Sequence, residues 1–322
     1  MTEFELIRRF TAPAPRRGTG VVLGIGDDCA VLRPPPGELL LATVDAVVEG
    51  VHFDARFAPG DVGWKALAVN LSDLAAMGAR PLWALCALAV PEGADPRRLA
   101  AVGRGLAACA RRHGIALAGG NVTRARELSL TVTALGSAPA GRVLRRDGAR
   151  PGDVLLVSGT LGDAALGLAP GAAAALARRQ RRPDPRLALG RALGPLASAC
   201  IDLSDGLAQD LGHLCRASGT GARVELSRLP LSPAARRALA GAADPFLAPA
   251  TGGEDYELCA AVPPGRVARA LAAARRLRIP LTPVGVVTRG RAVVLEGPSG
   301  ARYRPARAGH DHLAPHRRKP AF

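Results

Sequence analysis

Six aspartates stand where apolar segments give way to glycine or to a helix: Asp27 and Asp28 in GIGDD, Asp45 in TVDAVVEGVHF, Asp73 in NLSDLAAMGA, and Asp202 with Asp205 in IDLSDGL. A single Asp in such a place commonly caps a helix or closes a turn. Paired like charges, as at Asp27-Asp28 and Asp202/Asp205, cost energy unless a cation or an array of donors compensates them. Oxygen-only sets suit Mg2+, a hard ion that keeps several of its waters and is shared with substrate phosphates rather than caged by protein alone. The chemistry these acids point to is metal-assisted handling of a polyphosphate.

The glycine-rich pieces fit the same chemistry. GIGDD, AGGNVTR, VSGTLGD and TGGEDYEL each join flexible backbone to polar groups, as loops that bring amide N–H groups close to an anion do. Taken singly, each also reads as a plain turn. A P-loop requires a lysine after its glycines; Lys65 and Lys319, the chain's two lysines, do not stand in that setting, and no G-x-G-x-x-G fingerprint is present.

The elements that must hold these residues can be traced along the chain. Residues 3–10 read as a short helix, and VVLGIG and LLLATVDAVV as strands that bring the first acids to strand ends. Residues 64–77 read as a helix with Trp64, Leu67, Ala68, Leu71, Leu74 and Ala75 on one apolar stripe and Asp73 opposite it. PLWALCALAVP follows as a strand, PRRLAAVGRGLAACARRHG as a helix stopped by Gly114, GGNVTR as a turn and ELSLTVTALG as a strand. The Gly-, Pro- and charge-rich GRVLRRDGARPGD marks a boundary near residue 149, giving domains 1–148 and 149–322. Beyond it, DVLLVSG, ACIDL, ARVEL, YELCAAVP, PVGVV and AVVLEG read as strands. The stretch 170–185 reads as a surface helix or excursion, and the helix after IDLSDGL has Ser204 or Asp205 as its N-cap.

Composition excludes several classes. The 322 residues, 48% hydrophobic, suffice for two compact domains of mixed α/β (α+β) type. MTEFELIRRF carries acids and leads into TAPAPRRG rather than an apolar core, so no signal peptide is expected; the apolar run LWALCALAV is too short to span a membrane. Six scattered cysteines without a C-x-x-C pair read as small core residues of a cytoplasmic protein. The net charge of +16 raises a nucleic-acid reading, but it is spread over 41 arginines (43 − 2 lysines), and aromatics make up only 3%. No nucleic-acid or membrane partner is therefore expected.

In order, GIGDDCAVL, TVDAVVEGVHF, NLSDLAAMGARPLWAL, GGNVTR, SGTLGDAALGL, IDLSDGL, TGGEDYEL and PVGVV closely resemble the thiamine-monophosphate kinase family, part of the superfamily named for aminoimidazole ribonucleotide synthetase. The resemblance runs from about residue 20 to GHDHL near the end; EGVHF and NLSDLAAMGA point to this family within the superfamily. It implies an N-terminal ATP- and metal-binding domain whose sheet pairs across a homodimer, a C-terminal α/β domain, and an ATP cleft between domains. It also implies the reaction, ATP plus thiamine monophosphate giving ADP plus thiamine diphosphate.

On that resemblance Asp27, Thr43, Asp45, Asp73, Asn121, Asp202 and Asp205 organise several Mg2+ ions; Gly120, Asn121, Arg146 and Ser204 lie by ATP; and His52, Glu254 and His310 lie by thiamine phosphate. Arg145 competes with Arg146 as the phosphate clamp. Two departures stand out: Asn121 occupies a position where the family often has Asp, and His310 one where it tends to have an aromatic residue. Both reactants are anions, so positioning and charge neutralisation carry such a transfer. No residue is expected to act as general base. The alternatives are other ATP-dependent members of the superfamily, of selenophosphate or aminoimidazole ribonucleotide synthetase type, and a basic nucleic-acid-binding protein.

Overall fold

The computed structural model describes residues 2–305 and 309, which fall into two compact units: Met1–Leu74 with Ala79–Ala140, and Ala75–Gly78 with Gly141–Phe322. The first unit opens with α1 (Glu3–Thr11), started by a capping box in which Thr2 and Glu5 satisfy each other's backbone N–H groups. A small β1 (Val21–Leu23) and β2 (Val31–Leu32) ribbon follows, then β3 (Glu38–Val48), α2 (Pro59–Ala76), β4 (Arg80–Pro91), α3 (Pro96–His113), β5 (Ala116–Ala125) and β6 (Ser129–Pro139). Helix α3 has the termini its sequence announces. Asp95 accepts the Arg97 N–H at the start, Pro96 fills the first turn, and Gly114 takes the left-handed conformation (φ 68°) at the end.

Helix α2 departs from the expected single stripe. Leu67, Ala68, Leu71 and Leu74 are buried, but so are Lys65, Val69, Asn70 and Ser72 on its other sides. The reason is backbone-to-backbone packing: a Cβ on Gly63 would lie 1.9 Å from the Val102 carbonyl oxygen, and one on Gly105 would lie 1.8 Å from that of Gly60. Helices that approach this closely cover faces that a surface helix leaves wet.

The sheet of this unit runs β3-β6-β4-β5, antiparallel except for the parallel β4–β5 pair. GGNVTR is thus not a turn but most of β5, with Gly120 opposite Cys86 and Asn121 opposite Ala87. Gly120 is where the strand comes too close for any side chain: a Cβ there would lie 2.0 Å from the Cys86 carbonyl oxygen.

The second unit contains β7 (Val154–Ser158), α4 (Asp163–Leu166), α5 (Ala174–Arg181), α6 (Leu187–Leu193), β8 (Ala199–Leu203), α7 (Leu207–Ser218) and β9 (Gly221–Glu225). After these come α8 (Pro233–Ala238), α9 (Leu247–Thr251), β10 (Glu257–Val262), α10 (Pro264–Arg276), β11 (Leu281–Thr288), β12 (Val293–Glu296) and β13 (Arg302–Tyr303). Its sheet runs β13-β12-β9-β11-β7-β10-β8. Leu155, Val157, Ile201, Leu203, Leu211, Leu214 and Val284 make the core between this sheet and α7. The 170–185 stretch is not a loose excursion, because Leu176 and Gln180 of α5 are buried and Arg179 is ion-paired to the buried Glu257. No described helix is long and apolar enough to cross a membrane. Five cysteines are buried and Cys29 is exposed.

Candidate active site

In the first unit the structure brings Thr43 and Asp73 together. The Thr43 hydroxyl donates to Asp73 Oδ2 at 2.5 Å, linking β3 to a half-buried acid in the last turns of α2. Asp45 lies two residues along β3 from Thr43, so the pleat sets both on one side of the strand. Asp27 and Asp28 are exposed on the loop after β1, where the Asp28 N–H donates to Asp27 Oδ1 (2.9 Å). Strand register separates Asn121 from these acids. Asp45, Val132, Cys86 and Gly120 share one row across the sheet, and Ala46, Thr131, Ala87 and Asn121 the next. Within this unit Asn121 is therefore three strand spacings away, about 14 Å, and faces the other side.

His52 sits in the turn after β3. Its Nδ1 accepts the Val48 N–H (3.1 Å) and its carbonyl oxygen accepts from Lys65 Nζ (3.1 Å). Sequence reasoning passed over Lys65. It is 1% exposed, and its ammonium lies 5.4 Å from the centre of the Phe57 ring.

In the second unit three glycine-containing motifs converge. The Glu254 N–H donates to the Ser204 carbonyl (2.7 Å) and the Tyr256 N–H to that of Leu203 (2.9 Å), which joins TGGEDYEL to the end of β8. Between them Asp255, wholly buried, accepts from the N–H groups of Gly162 (2.7 Å) and Ala164 (3.3 Å), tying in SGTLGD at the start of α4. Burial pushes the Asp255 carboxyl up to about 7, against the downward pull of those two N–H bonds. Glu254 (φ 69°) and Tyr256 (φ 50°) hold left-handed backbone, a strain that persists where surrounding contacts enforce it. Gly206 (φ 118°) has no alternative, since a Cβ there would also lie 2.6 Å from the Thr251 carbonyl oxygen.

The N-cap expected at Ser204 or Asp205 is instead Gly206, without a side-chain cap bond. The work falls to Asp210, one turn into α7, whose Oδ2 accepts from the N–H groups of Asp205 and Gly206, both at 3.0 Å. The half-buried Asp205 side chain takes a bond from Gln209 Nε2 (3.1 Å). Ligand atoms of Asp205, Asp210 and His213 lie within 4.8 Å of one another. Burial drives Asp210 up to about 7, and burial together with the Arg216 and Arg146 charges lowers His213. Asp210 and His213 escaped sequence reasoning, although their spacing from Asp205 along SDGLAQDLGH was a usable signal.

Arg145 and Arg146 are distinguished by their neighbours. Arg145 is ion-paired with Asp147, whereas the charge of Arg146 is felt by Asp210 and His213. Asp202 is buried in β8 at 3% exposure. Glu254 Oε2 accepts from Gln180 Nε2 (3.1 Å), a contact from α5 that nothing in the sequence announced. His310 lies outside the described residues; Gly309 before it lies close against the Asp205 carbonyl and Gln209.

Residues 26–138 match the family described as AIR synthase related protein, N-terminal domain, and residues 150–297 its C-terminal domain. The thiamine-monophosphate kinase of Salmonella typhimurium is 44% identical over 293 residues, covering 88% of this chain and 89% of its own. The chain belongs to the thiamine-monophosphate kinase family. The crystal structure of the family member from Stenotrophomonas maltophilia K279a superposes with a TM-score of 0.84 at 44% identity, over 92% of this chain and 97% of that one. A further kinase structure of the family, AaThiL complexed with AMPPCP and TMP, gives a TM-score of 0.77 at 30% identity, over 96% of each chain. The mixed α/β fold expected from the sequence is thus the fold of this kinase family.

Proposed function

We propose that this protein transfers the γ-phosphoryl group of ATP to thiamine monophosphate, giving thiamine diphosphate and ADP. The observation that carries this reading is the oxygen-rich donor sets, Thr43–Asp73 in one unit and Asp205–Asp210 in the other, in a chain 44% identical to a thiamine-monophosphate kinase. The relative crystallised with AMPPCP, an ATP analogue, and TMP supports both substrates.

The donor groups fit Mg2+ in kind, since carboxylates and a hydroxyl dominate them. Asp27, Thr43, Asp45, Asp73, Asp202 and Asp205 would hold Mg2+, which when bound neutralises charge on the phosphate oxygens, whereas Asn121, three strands from Asp45 and on the other face of the sheet, stands outside that set. Gly120, Asn121, Arg146 and Ser204 would receive ATP, and His52, Glu254 and His310 the thiamine phosphate. The backbone bonds that lock residues 203–206 to 254–256 keep Ser204, Asp205 and Glu254 in fixed relation, as positioning of two mutually repelling anions demands.

The acceptor is a phosphate with a second pKa near ~6, so it is largely dianionic at neutral pH and needs no general base. We infer direct in-line transfer without a phosphoenzyme. We also infer a cytoplasmic homodimer formed through β3, the open edge of the first sheet, where Leu39, Leu40 and Val44 are 52%, 52% and 59% exposed.

The test is purified protein with ATP, Mg2+ and either thiamine monophosphate or thiamine, with product followed by chromatography. Diphosphate forms from the monophosphate alone. Absence of product, or pyrophosphorylation of free thiamine, removes the proposal.

A further inference from the structure

We propose that Gln180 of α5 is a positioning residue for the acceptor substrate, acting through the carboxylate of Glu254. The part played by Glu254 rests on the kinase reading; the part played by Gln180 rests on how the second unit holds residues 254–257.

That segment is costly to form. Glu254 (φ 69°) and Tyr256 (φ 50°) both hold left-handed backbone, which residues with a side chain rarely adopt. One helix grips its two ends. Arg179 and Gln180 are consecutive residues of α5: the Arg179 guanidinium donates to Glu257 Oε1 (2.5 Å), and Gln180 Nε2 donates to Glu254 Oε2 (3.1 Å). Between those ends, Asp255 is held by the N–H groups of Gly162 and Ala164. The main-chain bonds to Ser204 and Leu203 fix the backbone of residues 254 and 256, whereas the bond from Gln180 acts on the Glu254 side chain itself.

Helix α5 is a firm support for that bond. Leu176 packs with Ala165, Leu166, Ala235 and Ala248, which belong to α4, α8 and α9. At the end of α4 the backbones come so close that a Cβ on Gly167 would lie 2.5 Å from the Leu176 carbonyl oxygen. Gln180 is 2% exposed, so breaking its bond would leave a buried donor without a partner. An ionised carboxylate only accepts, so the amide must present its NH2 group, which fixes the orientation of the amide as well. Glu254 is half-buried. A carboxylate accepts from several donors at once, so the bond from Gln180 orients Glu254 without using it up.

The experiment compares steady-state kinetics of the full chain with thiamine monophosphate and with ATP as the varied substrate. Gln180→Met keeps the length of the side chain and removes the donor; Gln180→His places a ring Nε2–H at a similar reach. Gln180→Met should lose about 10-fold in kcat/KM for thiamine monophosphate, mostly through KM, with KM for ATP within about 2-fold of the parent. Gln180→His should return to within about 3-fold of the parent. In a Glu254→Ala background, Gln180→Met should cost less than about 2-fold more, because the group it acts through has gone.

A residue that merely anchors α5 gives a different pattern: KM values for the two substrates unmoved or moved together, no recovery with His, and losses that multiply in the double variant. Any of these results overturns the positioning role. Gln180→Glu, which keeps the shape and replaces the donor by an acceptor, carries the same test if the Met variant does not fold. Its KM for thiamine monophosphate should rise about 10-fold or more, and a parent-like KM overturns the role. A parent enzyme that turns over no thiamine monophosphate removes the kinase reading and this proposal with it. A parent that does, with KM unmoved in the variants, removes the role of Gln180 alone.

Discussion

Glu257 offers the sharpest test of how the second unit holds its site. Its carboxylate is fully buried at the start of β10. There it accepts from Ser158 Oγ (2.5 Å), Arg179 Nη2 (2.5 Å), and both Nε (2.7 Å) and Nη2 (2.5 Å) of Arg186. Replacing it by Gln removes the charge and turns an N–H2 group toward two guanidinium ions. Breaking a buried ion pair from one side costs about 3–5 kcal/mol, because the partner charge stays behind. The Arg186 and Arg179 side chains are 13% and 22% exposed and can partly rehydrate, so the lower end applies, about 3 kcal/mol.

For a unit of this size about 2–4 °C of melting temperature goes with each kcal/mol, which gives a drop of roughly 6–12 °C. The loss should be felt at the site through Gln180, which neighbours Arg179 on α5 and bonds Glu254. KM for thiamine monophosphate should rise about 5-fold or more, with KM for ATP nearly unchanged. Calorimetry and initial-rate kinetics read both effects, and adding Arg186→Met to Glu257→Gln should restore part of the stability by removing the stranded cation. A melting shift under about 2 °C, or no recovery in the double variant, would refute the argument that this ion cluster anchors α5.

Asp73→Asn keeps an acceptor for the Thr43 hydroxyl but removes a charge, so the Mg2+ concentration for half-maximal turnover should rise about 10-fold or more at unchanged melting temperature. An unaltered Mg2+ titration would take Asp73 out of the site. The carboxyl of Asp255 has an ordinary value of 3.8 and is raised to about 7 in the fold. Between these values the folded state keeps a proton that the unfolded chain has released, so its contribution makes stability fall as pH rises from about 4 to about 7, by at most ~1.4 kcal/mol per pH unit, and level off above. Urea unfolding from pH 5 to 8 should show a shallower slope in Asp255→Asn; an identical slope assigns the effect elsewhere. Gly120→Ala should cost about 2 kcal/mol or more, because its Cβ would collide with the Cys86 carbonyl oxygen. Ordinary stability in that variant would contradict the β4–β5 pairing described above.

The ends of α3 were legible in the sequence because their signals are local: Asp95, Pro96 and Gly114 act on backbone groups within a turn of themselves. What the sequence could not reveal depends on partners far along the chain. GGNVTR looks like a turn until β4 supplies the backbone that only a glycine can approach. Helix α2 looks amphipathic until α3 covers its second side. Sequence thus determined which chemical groups this protein has to offer. Tertiary structure decided their orientation, because hydrogen bonds and close packing between distant segments, such as the bond from Gln180 to the Glu254 carboxylate, hold these groups in place, and no local pattern carries that information.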